Sequence, residues 1–327
     1  MTNAPTAPDR ARFSRRARQF IRQLRHGDEA AHLITWLAAS SIIVVTVMLV
    51  YQLYINCALP RHKFGFEFFL GRTWDPVSGD FGALPFIYGT VVSSALALLV
   101  AVPLGVGAAI FLSELAPTRI SNYLTFVIEL LAAIPSVIYG LLGIFILVPV
   151  LRTVVMPFLK TTLGFLPLFK GPIYGVSMLA GGVVLAIMIV PFIISVSREV
   201  LLAVPVEQRE AALALGATKW ESTWQVVVPF ARVGIMASIF LALARALGET
   251  MAVTMVIGND PKISASLFAP AYSIAAVVAN EFTEATGDLY LQALIELGLV
   301  LFLLTILING VARLVIIATT QKGAAQG

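Results

Sequence analysis

Six long apolar segments constrain the fold of this chain more than any other feature of its sequence. Each is continuous, without the alternation of polar and apolar residues that a barrel strand requires. About 20 apolar residues in a helix span a bilayer core of roughly 30 Å. Only 12% of the residues are charged, against about 25% in a soluble domain. The sequence therefore predicts an all-α integral membrane protein with six transmembrane helices, near residues 33–55, 86–113, 122–151, 173–197, 231–258 and 289–318.

The lysines and arginines predict how these helices are oriented. The polar segment 1–30 carries seven arginines, and no small-residue cleavage site follows the first apolar run, which favours a retained cytoplasmic tail over a signal peptide. With this tail inside, 14 basic residues lie on the inner side and seven on the outer side. Because cytoplasmic loops are enriched in basic residues, both termini are predicted to be cytoplasmic, in a multi-pass protein of the inner cell membrane. A basic flank beside a membrane span does not by itself indicate a nucleic-acid partner.

The same pattern divides the chain into four parts. These are a basic tail (1–30), a first transmembrane helix with an outer loop (31–85), a five-helix transmembrane domain (86–318) and a C-terminal tail (319–327). The five-helix domain contains a cytoplasmic loop at 198–230. Within the spans, Pro103, Pro135 and Pro191 are predicted to kink helices. Close helix approach is predicted at the pairs Gly140 with Gly143 and Gly181 with Gly182.

Residues that carry catalytic or metal-binding chemistry are sparse. Cys57 is the single cysteine, so no internal disulfide or thiolate cluster can form, and the three histidines lack metal-ligand spacing. The sequence contains no G-x-x-x-x-G-K-[ST] loop for nucleotide phosphates and no Ser-His-Asp order. We therefore expect no catalytic residue, no metal site and no cofactor-binding residue in this chain, which alone would not hydrolyse ATP.

A polar insert, "EQREAALALGATKWESTWQVVVP" (207–229), interrupts the apolar sequence. Pro205 suits the start of a helix, "REAALAL" consists of strong helix formers, and Gly216 suits the position after a helix end. Thr218 and Glu221 match a capping box, which predicts a second helix, and Pro229 is expected to end the insert before the fifth span. Two short helices with a sharp turn are therefore expected, either as a solvated hairpin without a partner or packed against another protein through their alanines.

The insert resembles the cytoplasmic signature of membrane subunits in binding-protein-dependent ABC importers. That signature is EAA, three residues, Gly, nine residues, then Ile, any residue, Leu and Pro. Here Glu210, Ala211 and Ala212 are followed at the same spacing by Gly216 and Pro229, and Val226 and Val228 replace the Ile and Leu. In that family the loop docks into the ATP-hydrolysing subunit. The resemblance implies the same coupling role for the five residues that match the signature: Glu210, Ala211, Ala212, Gly216 and Pro229.

Two further stretches, "ELLAAIPSVIYGL" (129–141) and "RALGETMAVTMVIGN" (245–259), resemble the permeases of the phosphate-uptake system, particularly the PstC type. The likeness covers most of residues 86–318 and implies a type I ABC importer (MetI-like) permease fold. It also implies a set of partners: a second permease of the PstA type, an ATPase dimer of the PstB type that binds ATP and Mg²⁺, and an extracytoplasmic phosphate-binding protein of the PstS type. Phosphate would be the substrate, and membrane lipid would surround the helices.

Charged residues inside the predicted spans are candidates for the translocation pathway. Arg245 lies near the centre of the fifth span, and Glu249 follows four positions later, on the same face of a continuous helix. Glu129 and Glu296 are other possible partners of Arg245. A guanidinium matches the geometry of an oxyanion. We therefore hypothesise that Arg245 lowers the barrier for phosphate and that Glu249 orients it between substrates. A purely structural ion pair is the alternative.

Three other functions remain open from the residues themselves. An ion-coupled secondary transporter with Glu249 and Glu129 as relay carboxylates would leave the docking insert unexplained. An intramembrane enzyme would lack a nucleophile with its base. An importer of molybdate or sulfate would show the same sequence features, and only the motif resemblance favours phosphate over these oxyanions.

Overall fold

The computed structural model describes the backbone of residues 8–324 and the side chains of residues 31–314. The predicted basic tail (1–30) and the predicted C-terminal tail (319–327) therefore lie entirely outside the described side chains. The chain divides into two compact units, residues 1–55 and 56–327. From Pro8 onwards, the described part of the first unit is one long helix, and the segment Ala31–Asn56 is long and apolar enough to cross a membrane.

Helices form most of the described structure. They are α1 (Pro8–Asn56), α2 (Ala58–Phe64), α3 (Glu67–Leu70), α4 (Leu84–Ile110), α5 (Thr118–Ala132), α6 (Ser136–Leu142), α7 (Val148–Val150), α8 (Met156–Leu163), α9 (Met178–Leu202), α10 (Val206–Ala214), α11 (Lys219–Ser222), α12 (Val228–Leu247), α13 (Met251–Val256), α14 (Ile274–Glu281) and α15 (Asp288–Ala324). Four π-helical segments, 111–115, 143–147, 151–155 and 223–227, join or extend these helices, and Pro167–Phe169 form a 3₁₀ turn. A two-stranded antiparallel hairpin, β1 (Trp74–Asp75) with β2 (Asp80–Phe81), completes the described elements.

Six helical stretches among the described residues can span a membrane, which agrees with the number predicted. They are Ala31–Asn56, Leu84–Leu115, Ser136–Leu163, Met178–Leu202, Lys219–Leu247 and Asp288–Leu314. The third differs from the prediction at 122–151. The chain breaks between α5 and α6 because Pro135 disfavours helical backbone in the residue before it and itself has an extended ψ of 140°. The third span therefore starts at Ser136, and α5 is a separate helix.

Each π-helical segment ends two residues before a proline. A proline has no N–H for the helical bond to residue i−4, and its ring clashes with that residue's carbonyl. In all four segments the residue before the proline instead donates to the carbonyl five residues earlier. These bonds run from Ala116 to Phe111, Val148 to Gly143, Met156 to Leu151 and Val228 to Thr223. The widened turn lets the helix continue through Pro149, Pro157 and Pro229. Pro103 and Pro191 lie inside α4 and α9.

The main core forms around α9, which is the most buried of the six spans. Small residues let α4 lie directly against it. A Cβ added to Gly182 would come within 2.5 Å of Leu96 Cδ2, and one added to Gly105 within 2.7 Å of Ile193 Cγ2. A Cβ on Gly140 would likewise meet Met255 of α13 at 2.6 Å. The close approach predicted at Gly140 and Gly182 is thus confirmed, and α4 and α9 form a tightly packed pair.

A second hydrophobic cluster lies where the sequence predicts only an outer loop. Trp74 and Phe81 of the hairpin pack with Phe86 of α4 and Tyr290 of α15. Glu281 of α14 joins them by accepting hydrogen bonds from Trp74 Nε1 at 2.8 Å and from Tyr290 Oη at 2.7 Å. The segment after α1 is therefore a packed structure with its own core.

Candidate functional site

The first helix of the polar insert is α10. Pro205 precedes it in the extended conformation, and Glu207 lies in its first turn, where the helix dipole favours a negative charge. The helix ends at Ala214, and Gly216, two residues later, has a φ of 89° that suits glycine. The Gly216 N–H donates to Leu213 O at 3.0 Å and the Ala217 N–H to Ala212 O at 3.1 Å. This is a Schellman ending, so Gly216 makes the turn that the sequence predicts.

The second helix of the insert begins with the predicted capping box. The Glu221 N–H donates to Thr218 Oγ1 at 3.2 Å, and the Thr218 N–H donates to Glu221 Oε2 at 2.7 Å. The expectation that Pro229 ends the insert is wrong. From α11 the chain continues through the π-helical segment into α12, and the whole stretch Lys219–Leu247 forms one candidate span. The second arm of the hairpin is therefore the start of a membrane helix.

The motif residues divide between a buried and an exposed side of α10. Ala212 is buried, whereas Glu210, Ala211 and Gly216 are exposed. At the tip, Leu215 is 90% exposed.

Arg209, which precedes the motif, makes the strongest polar contacts of the insert. Its Nε and Nη2 donate to the two carboxylate oxygens of Glu114 at 3.2 and 2.9 Å. Its guanidinium also donates to the carbonyls of Leu201, at 2.8 Å, and Val204. The Arg209 and Glu114 side chains are only 20% and 10% exposed. A cavity of about 180 Å³ beside them is also lined by Lys219 and Thr223, so the pair lies between the two arms of the hairpin. The sequence pattern did not single out either residue.

Arg245 lies in the last turn of α12, not midway along a continuous helix as predicted. Its side chain is half-buried. The guanidinium carbon lies 5.8 Å from the centre of the Phe192 ring of α9, within cation–π distance. Among the residues whose side chains are described, no carboxylate forms an ion pair with Arg245. An aromatic face is thus its observed neighbour.

Glu249 does not share a helix with Arg245, because α12 ends at Leu247. Glu249 lies in the break before α13, and its Oε1 accepts a hydrogen bond from the Ala252 N–H at 3.1 Å. This carboxylate therefore caps the first turn of α13. The predicted arrangement on one helical face is wrong, because a helix boundary separates the two residues.

The other two predicted carboxylates lie apart from each other. Glu129 is exposed near the end of α5, which is outside the six candidate spans, so its predicted place in the third span is wrong. Glu296 lies on α15 and is 3% exposed. Neither pairs with Arg245 among the described ion pairs. Arg245 and Glu249 thus flank one break in the chain, and Glu129 belongs to a different helix.

Comparison with protein families identifies the chain. Residues 101–318 match the family described as binding-protein-dependent transport system inner membrane component. The protein belongs to this family. The matched region includes α5, the α10 hairpin and the α12–α13 break, so each of these lies in the family's shared domain.

Related proteins cover nearly the whole chain. The phosphate transport system permease protein PstC of Mesorhizobium japonicum is 48% identical over 297 residues, 90% of this chain and 91% of that protein. The probable phosphate transport system permease protein PstC of Methanocaldococcus jannaschii is 35% identical, over 88% of this chain and 93% of the relative. A bacterial alginate ABC transporter, solved with an alginate-bound periplasmic protein, aligns at a TM-score of 0.53 and 16% identity, over 86% and 95% of the two chains. The fold is that of a type I ABC importer permease.

Proposed function

We propose that this protein is the membrane-spanning permease subunit of an ATP-driven, binding-protein-dependent phosphate importer. The observation that carries the proposal is the exposed hairpin with the EAA spacing, in a chain whose 48% identical relative is named a phosphate transport permease. The subunit forms half of the pathway and lies in the inner cell membrane. Both of its termini and the α10 hairpin face the cytoplasm.

The proposed complex has four kinds of subunit. A second permease of the PstA type completes the pathway, and a phosphate-binding protein of the PstS type delivers substrate from outside. Two ATPase subunits of the PstB type bind ATP and Mg²⁺. They also bind the hairpin at Glu210, Ala211, Ala212 and the Gly216 turn. Pro229 lies in the helix that leads from the hairpin into the membrane. This chain holds no cofactor and is not itself catalytic.

The proposed role of Arg245 follows from its surroundings. Phosphate is an anion near neutral pH, and a guanidinium offers several donors in a planar fork that suits its oxygens. Because no described carboxylate neutralises Arg245, its charge is available to a passing anion. Breaks in membrane helices are found where transporters bind their substrates, and Arg245 adjoins such a break. Glu249 shapes the same place by capping α13. The pathway role of Glu129 stays a prediction, to be tested by Glu129→Gln.

Uptake of labelled phosphate tests this function. Vesicles that contain the complete complex should take up phosphate only when ATP and the binding protein are both present. Excess sulfate or molybdate should not reduce that uptake. Strong competition by either would show that the competing oxyanion is the substrate. Uptake driven by an ion gradient without ATP would instead support a secondary transporter.

Arg245→Gln tests the pathway residue. It should abolish phosphate uptake, while the ATPase subunits still co-purify with the permeases. Arg232→Gln, which removes a half-buried arginine near the start of the same helix, is the matched control and should keep uptake. Normal uptake by Arg245→Gln contradicts the pathway role.

A further inference from the structure

Arg209 joins three segments of the protein. It belongs to α10, and its carboxylate partner Glu114 lies in the π-helical end of the second span. Its remaining described acceptors are the carbonyls of Leu201 and Val204, at the end of α9. The last carbonyls of a helix lack partners within the helix and favour a cation. One guanidinium therefore holds α10 to the ends of two membrane spans.

No other described side chain does this for the hairpin. Among the side chains of residues 206–222, Arg209 alone has a described hydrogen bond to a residue outside that stretch. The Thr218–Glu221 bonds stay within the hairpin. Arg198, the neighbouring arginine on α9, pairs with Glu199 and donates to Ser121 of α5. The polar attachment of α10 thus depends on Arg209 and Glu114.

The two spans that Arg209 holds are the tightly packed pair described above. Helix α4 leads into Glu114, and α9 ends beside the two carbonyls. Helix α9 also carries Phe192, whose ring faces Arg245. Leu201 follows Phe192 by nine positions in the helix, which is about 13.5 Å along the axis. A continuous rigid element therefore runs from the attachment of α10 to the ring beneath Arg245.

We infer that Arg209 and Glu114 are positioning residues that transmit movement of α10 to the α4–α9 pair, and so couple ATP hydrolysis to transport. This inference rests on the proposed function of the chain. A bidentate pair between arginine and a carboxylate resists rotation as well as separation, so a push on α10 moves α4 and α9 with it. Without the pair, α10 would stay bound to the ATPase and covalently linked to α9 through residues 203–205, but it would lose its ion pair to the end of the second span and pass on less of its movement.

The test compares transport with hydrolysis in the complete complex, reconstituted in vesicles with its binding protein. Arg209→Gln and Glu114→Gln should each lower the phosphate transported per ATP hydrolysed by about fivefold or more, the usual range of coupling between sites. The double variant should lose no more than either single variant, because both changes break one interaction. Arg198→Gln, which leaves α10 attached, is the control and should keep the wild-type ratio.

Two outcomes overturn the inference. An unchanged ratio in both single variants means that the pair carries no coupling. Loss of the ATPase subunits from the purified variants means that the pair serves attachment. A merely stabilising pair would lower the amount of complex, and with it the rates of transport and of hydrolysis equally, which also leaves the ratio unchanged.

Arg209→Lys is a milder variant for use if Arg209→Gln does not assemble. It keeps the positive charge but lacks the planar guanidinium that bonds both carboxylate oxygens, so it should give an intermediate ratio.

A second measurement does not depend on the cargo. Cys57 is the only cysteine, so Cys57→Ser with Ser195→Cys places a single thiol on α9 between Phe192 and Leu201. ATP should change its labelling rate by a maleimide when Arg209 is present, and should change it much less in Arg209→Gln. The same ATP response in both overturns the inference. An ATP response in a complex that fails to take up phosphate contradicts only the proposed cargo.

Discussion

Two arginines, Arg209 on α10 and Arg245 at the end of α12, have contrasting surroundings. Arg209 donates to both oxygens of Glu114 and to two backbone carbonyls. Arg245 has no described carboxylate partner and faces the ring of Phe192. A guanidinium with filled donors fixes the segments around it, whereas one with free donors can bind and release an anion. In the roles proposed above, the contrast distinguishes a positioning arginine, Arg209, from an arginine that binds the anion, Arg245.

The largest expected effect is that of Arg245→Gln on phosphate uptake. We expect a loss of about 100-fold, the typical effect of removing a preorganised electrostatic contact. The melting temperature of the complex should not fall, because no described ion pair is lost. Scintillation counting of vesicles and fluorescence-detected thermal melts give the two values. A large drop in melting temperature would show that Arg245 stabilises the fold, as the Arg209–Glu114 pair does, and would contradict its proposed role as a free anion-binding group.

Arg209→Gln should show the reverse pattern in the same melts. Removing one partner of a largely buried charge pair costs about 2 kcal/mol or more, so the permease should melt earlier. Glu114→Gln should shift the melt in the same direction, and Arg198→Gln should shift it less. If Arg209→Gln melts like the wild type, the contrast between the two arginines is lost.

Phe192→Leu should have a smaller effect, confined to the affinity for phosphate. The Phe192 ring contacts the Arg245 guanidinium, and such a cation–π contact contributes about 0.5–2 kcal/mol. Because its loss should leave the guanidinium less well placed for phosphate, we expect a severalfold higher KM for uptake and a nearly unchanged maximal rate. Phe192→Trp keeps an aromatic face and should keep the KM close to that of the wild type. Equal KM values for Phe192→Leu and the wild-type protein would show that Phe192 does not contribute to the affinity for phosphate.

The smallest expected effect is that of Gly216→Ala. Its φ of 89° disfavours any residue with a Cβ, at a cost of about 1 kcal/mol. The hairpin should lose that much stability, and the ATPase subunits should bind severalfold more weakly in a pull-down titration. Gly107→Ala is the control, since an added Cβ meets no atom within 4 Å at either glycine and Gly107 has no positive φ. Equal weakening by both variants would rule out the turn as the cause.

Local patterns predicted the hairpin well, because its features are local. The helix formers of α10, the Gly216 turn and the Thr218–Glu221 box each depend on residues within a few positions. The partner of Arg209 was not predictable in this way. Glu114 lies 95 residues earlier in the chain, and nothing in its own surroundings distinguishes it from an ordinary charge at the end of a span.

The prolines show the same limit within single helices. The sequence predicted that Pro229 would end the insert, yet the preceding π-helical turn carries the helix past it. Pro135 was predicted to kink a span and instead separates α5 from α6. Hydropathy does not distinguish these outcomes, because both sides of each proline are apolar. At Pro135 the carbonyl of Leu131, four residues earlier, accepts a hydrogen bond from Tyr139 Oη at 2.7 Å, whereas before Pro229 the Val228 N–H donates to the carbonyl of Thr223.

The sequence by itself determined the number of membrane helices, the existence of the polar hairpin and the family resemblance that its motif carries. These depend on composition and on short-range spacing, which tertiary packing does not alter. Only the tertiary structure decided which charges meet. In that structure Glu114 pairs with Arg209 and the Phe192 ring lies beside Arg245. Glu249 caps α13. These contacts could not be read from the sequence, because they require proximity in space.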